Sequence, residues 1–83
     1  MTDRERWYAI FRNLKRVKVG DLKYQIVRRD NGQAVGDVVK TGSHLDDYPW
    51  DWSYRRAGGA GGSADTLTSA VQEIASCEME AQS

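Results

Sequence analysis

One cysteine, one proline and one histidine occur in 83 residues, and each scarcity closes a class of function. A single cysteine excludes an internal disulfide framework and a structural zinc site of the multi-cysteine kind. A single histidine leaves His44 as the only imidazole for nucleophile activation. No apolar run approaches the roughly 18–20 residues of a transmembrane helix. The start MTDRERW is too charged for a signal peptide, so a cytoplasmic protein away from membranes is expected. The glycines at 58–62 have no following lysine, so they form no phosphate-cradling loop. No paired-carboxylate scaffold is evident, and the expectation is a non-enzyme with no cofactor and no metal.

What is present fits one small soluble domain over residues 1–83. The hydrophobic fraction is 40%, the charged fraction 29% and the mean hydropathy −0.68. A single core in so short a chain supplies only about 3–5 kcal/mol, which favours a homodimer or a bound partner. Net charge is zero, yet the charges are segregated. Residues 1–29 carry nine cations against three carboxylates, and residues 30–83 carry three cations against nine. No lysine or arginine follows Arg56. Such a dipolar chain either neutralises itself across the fold or presents a basic face to an acidic partner.

Thr2 and Glu5 have the spacing of a capping box. Trp7, Ile10, Phe11 and Leu14 follow at one-face helical spacing, with Lys15 and Arg16 suited to a helix C-terminus. The spacing predicts a helix over 3–16, against the strand preference of its aromatic and branched residues. Residues 22–29 and 34–41 read as strands joined at Asn31-Gly32, a hairpin signal, and Gly36 suggests a bulge. Tyr48, Trp50, Trp52 and Tyr54 alternate with polar residues and Pro49, giving a half-buried strand over 48–55. A flexible glycine loop is expected over 57–63. Asp65 or Thr66 then caps a helix over 66–78 whose face is Leu67, Ala70, Val71 and Ile74, before a frayed tail at 79–83. The expected fold is α+β, a three-stranded antiparallel sheet with an N-terminal and a C-terminal helix in the order α-β-β-β-α.

Two sets of residues are candidates for binding. Arg12, Lys15, Arg16 and Lys18, with Arg28 and Arg29, form an electrostatic footprint for an acidic protein or for nucleic acid. The row Tyr48, Trp50, Trp52 and Tyr54 has two readings. Its rings stack bases, with Arg55 and Arg56 on phosphate, or they are the core beneath the helices, the cheaper reading in a chain with few large aliphatics. His44, Asp46 and Asp47 are too few to make more than a poor metal site. Cys77 is expected to pack against the sheet or near a dimer seam.

From residue 34 onward the sequence resembles a group of small bacterial and phage single-domain proteins. The likeness lies in VGDVVKTG, the W-x-W-S strand WDWSY, the glycine loop GGS and the helix ADTLTSAVQEI. The order of elements is similar to that of the double-stranded RNA-binding domain. That family grips phosphate with lysines at the start of its last helix, where this sequence has Asp65. Small size, absent chemistry and segregated charge also resemble anti-CRISPR proteins. That resemblance implies a non-catalytic protein-interaction module from a mobile element that inhibits a host defence complex. The alternative is a nucleic-acid-binding regulator using the basic N-terminal helix and the aromatic strand.

Overall fold

The computed structural model describes residues 2–41, 47–55 and 60–81. Thr2 caps α1 (Asp3–Arg12), accepting a hydrogen bond from the Glu5 N–H at 3.2 Å while its hydroxyl donates to Glu5 Oε1 at 3.1 Å. Thr2 is therefore the N-cap the sequence predicts, with its hydroxyl rather than its backbone N–H meeting the Glu5 carboxylate. The helix ends four residues earlier than expected, with Asn13 as its C-cap. Residues Leu14–Gly20 form a strand, β1, in place of the last helical turn. Asn13 is a weak helix former, Val17 and Val19 favour a pleated surface, and β2 (Lys23–Arg28) pairs with the segment from Leu14↔Arg28 to Lys18↔Tyr24. Pairing with a neighbour outweighs the helical spacing of Leu14.

β2 turns into β3 (Ala34–Lys40) through the expected hairpin. Gly32 sits at φ +72°, a conformation that side chains with a Cβ resist. Asn31 Oδ1 accepts the Gln33 N–H at 2.8 Å. The register slips between Ile26 and Val27, where Val35 stands between Ala34 and Gly36 on the partner strand. The irregularity lies at Val35, one residue before the predicted Gly36. β4 (Trp50–Tyr54) pairs with β3, and β5 (Gly61–Ala64) pairs with β4. The sheet therefore has five antiparallel strands in the order β1-β2-β3-β4-β5, not three. The class is α+β, with both added strands outside the three expected ones.

The described part of the predicted glycine loop is mostly strand. Gly62 lies opposite Trp52, and a Cβ there would stand 3.2 Å from the indole. Bareness at this position makes room for the ring.

α2 (Leu67–Ala81) starts where Thr66 Oγ1 accepts the Ser69 N–H at 3.0 Å, so Thr66 is the cap. It runs past the predicted end at 78 into what was expected to fray. Ala70, Val71, Ile74, Ala75 and Glu78 are buried. Both helices cover one face of the sheet, over a core of Leu14, Ile26, Val35, Val38, Tyr54 and Ala64. Trp7 of α1 joins the helices by donating from Nε1 to Ser76 Oγ at 3.0 Å. Among the described residues no helix covers the other face. There Arg55 holds Asp37 in a two-point ion pair at 2.8 and 2.9 Å, and Asp51 accepts from Thr41 and Ser63 at 3.0 Å each. Among the described residues, no helix is long and apolar enough to cross a membrane.

Candidate binding groove

The end of α1 and the start of β1 meet at a sharp corner, because Asn13 stops the helix and Leu14 is at once drawn into the sheet. Leu14 is buried as the floor of this corner. The Arg29 N–H donates to Asn13 O at 2.7 Å, tying the end of β2 to the same place. The corner opens into a groove of about 540 Å³ lined by Phe11, Arg12, Leu14, Lys15, Arg16, Arg29 and Val71. Half-buried Phe11 gives it apolar surface above the nearly inaccessible Leu14 and Val71, and four cations complete the lining.

Arg12, Lys15, Arg16 and Arg29 are all exposed. Neighbouring side chains on a strand point to opposite faces, so Lys15 and Arg16 place charge on both sides of the edge of β1. Arg16 reaches toward the helices and donates to Thr68 Oγ1 at 2.9 Å, a neutral acceptor. Among the described residues none of the four cations makes a salt bridge, and no carboxylate lines the groove. The result is a concentrated positive potential over an apolar floor, suited to an anionic group carried on an apolar segment.

Of the six predicted basic residues, these four come together. Lys18 lies further along β1, exposed and outside the groove. Arg28 is engaged elsewhere. Its guanidinium donates to both carboxylate oxygens of Asp30, at 3.1 and 2.7 Å. That pairing raises the Arg28 pKa and holds the Asp30 carboxyl below its usual value. Arg28 lines a second cavity of about 370 Å³ with Ala9, Ile10, Asn13, Leu14 and Glu78.

The aromatic row is divided. Tyr54 is only 2% exposed, and its hydroxyl donates to Glu78 Oε1 at 3.0 Å. Trp50 and Trp52 are half-buried and packed on the core, with the Tyr24 ring 6.1 Å and Lys40 Nζ 5.7 Å from the Trp50 ring. Tyr48 is 64% exposed and precedes the strand. The four rings therefore do not form one open platform.

His44, Asp46 and Arg56 lie outside the described residues, while Asp47 is described and exposed. No group of three or more histidine, cysteine or acidic residues that could hold a metal ion occurs among the described residues. Cys77 is half-buried beside Tyr54, Ala60 and Glu80, and burial together with Glu80 and Glu73 pushes its thiol pKa up. Sequence reasoning missed two features. One is the edge-strand setting of Lys15, Arg16 and Lys18. The other is buried Glu78, which the helical face Leu67, Ala70, Val71, Ile74 reaches by one further step of four.

Compared with known protein families, curated proteins and solved structures, the chain matches none.

Proposed function

We propose that the protein is a non-catalytic interaction module that binds an acidic partner protein through the groove between α1 and β1. The observation that carries this reading is the lining itself: four cations without a carboxylate around Phe11, Leu14 and Val71. Protein interfaces use such a combination of apolar anchor and arginine rim. An inhibitor of a host defence complex, as the resemblance to anti-CRISPR proteins implies, is the special case in which that complex supplies the acidic surface.

The nucleic-acid reading uses the same cations and ranks second. Its stacking platform is divided, since Tyr54 is buried and Trp50 and Trp52 pack on the core. Reversal of Arg12, Lys15 and Arg16 to glutamate tests the proposal. Capture of acidic proteins from a host lysate by the parent and not by the variant, with unchanged circular dichroism, supports it. Equal capture by both removes the groove from the function. Titration with DNA and RNA duplexes across a salt series separates the second reading, which requires affinity falling steeply with salt.

A further inference from the structure

β1 is the first strand of the sheet, and its outer edge pairs with no strand among the described residues. The phase of its ladder follows from one bond. The Arg29 N–H donates to Asn13 O, and hydrogen-bonded pairs alternate along an antiparallel ladder. Lys15↔Val27 and Val17↔Gln25 are therefore the bonded pairs, and the peptide groups of Arg16 and Lys18 face outward. Both residues are exposed. An unpaired row of this kind is a template for a further strand.

We propose that an extended acidic segment of a partner protein adds to the sheet along β1, with its carboxylates on Arg12, Lys15, Arg16 and Arg29. This rests on the reading of the groove as a site for an acidic protein, and specifies how that protein is held. Strand addition draws affinity from the main-chain ladder and selectivity from alternate side chains. Here the groove lies at the Leu14 end of the edge, where an incoming strand would meet Arg16 on the helix side and Lys15 on the open side. Both of its faces then encounter positive charge. At about 3.3 Å per residue, the seven residues of β1 span a segment of similar length.

Charge also selects the occupant. A second copy pairing β1 with β1 would bring Lys15, Arg16 and Lys18 against the same three cations, and like charges across a ladder are destabilising. The opposite sheet edge, β5, offers only Gly61, Gly62, Ser63 and Ala64, with neither charge nor bulk to select a partner. A nucleic-acid duplex has no peptide ladder to complete the edge.

The test uses the full chain at low salt and a fluorescent eight-residue peptide of sequence Glu-Glu-Thr-Thr-Glu-Glu-Thr-Thr, which places carboxylates on both faces of an added strand. Its backbone N-methylated counterpart keeps every charge and loses the N–H donors. The expected result is binding of the first peptide and at least tenfold weaker binding of the second. Lys18→Pro removes an outward N–H where an edge strand tolerates proline, and Lys18→Gln removes only the charge. Lys18→Pro should weaken the unmodified peptide at least tenfold more than Lys18→Gln does. Equal binding of the two peptides would overturn strand addition while leaving a charge-driven acidic site intact. Failure to bind either peptide, with an RNA duplex binding instead, would overturn both readings. The peptide comparison needs no protein variant, so a folding defect in Lys18→Pro does not blunt it.

Discussion

Tyr54 and Glu78 meet between the sheet and α2, where the phenol donates a 3.0 Å hydrogen bond to Glu78 Oε1 and both residues are almost inaccessible. A buried carboxylate is costly unless hydrogen-bonded, so the tyrosine hydroxyl allows α2 to place a glutamate on its buried face. Tyr54→Phe keeps the ring and removes the donor. It should cost about 1–3 kcal/mol, read as a lower urea midpoint with unchanged slope. Glu78→Gln keeps an acceptor opposite Tyr54 and should cost less than Glu78→Ala.

Gly36 faces both β4 and α2. A Cβ there would lie 2.7 Å from Ser53 O and 2.9 Å from Ile74 Cδ1. The isoleucine tip can shift, but the carbonyl belongs to a paired strand. Gly36→Ala should therefore destabilise by about 1–3 kcal/mol through overpacking. Gly32→Ala meets no atom within 4 Å, and its cost of about 1 kcal/mol comes from positive φ alone. Gly32→Asn should recover part of that loss in thermal unfolding, because asparagine tolerates the conformation.

Asp30 sets an acid-dependent component of stability. Its carboxyl is held below the usual range chiefly by the Arg28 hydrogen bonds. A lowered folded-state pKa contributes stability above the unfolded value, and that contribution disappears as pH falls through the folded value. Asp30→Asn should therefore be less stable than the parent at pH 7. The gap should close below about pH 4, near and under the ordinary aspartate pKa. Denaturation midpoints at the two pH values check this.

Cys77 should be a slow nucleophile. Burial first, then the negative charge of Glu80 and Glu73, raises its pKa, and the thiolate is the reactive form. Alkylation by iodoacetamide at pH 8 should run several-fold slower than that of a small free thiol. Glu80→Gln should speed it modestly.

Local signals account for the parts of this fold that the sequence displays. Thr2 and Glu5 mark the start of α1, Asn31-Gly32 marks the β2–β3 turn, and the alternation from Trp50 to Tyr54 marks β4. β1 was concealed because Leu14 continues the helical spacing of Trp7, Ile10 and Phe11, while Lys15 and Arg16 suit a helix end. Only pairing with β2 reveals it as a strand, and that partner is not visible in the local pattern. β5 was concealed for the opposite reason: Gly61 and Gly62 have no side chains with which to show a period. The candidate site was legible as a set of cations. Its shape was not, since sequence spacing could not separate Arg28, paired with Asp30, from Arg29 in the groove.

The bond between Trp7 and Ser76 joins positions separated by 69 residues, whereas each strand of the sheet pairs with its neighbour in the chain. The sheet can thus assemble hairpin by hairpin, each step closing a short loop. Docking α1 on α2 instead joins the first and the last element of the chain. Non-local steps of this kind set the pace of folding. The corner at Asn13 and Leu14 hangs on that docking, because α1 supplies one wall of the groove and the sheet the other. A substitution that loosens the contact of α1 with α2, such as Trp7→Ala, should therefore loosen the groove although Trp7 is not among its lining residues.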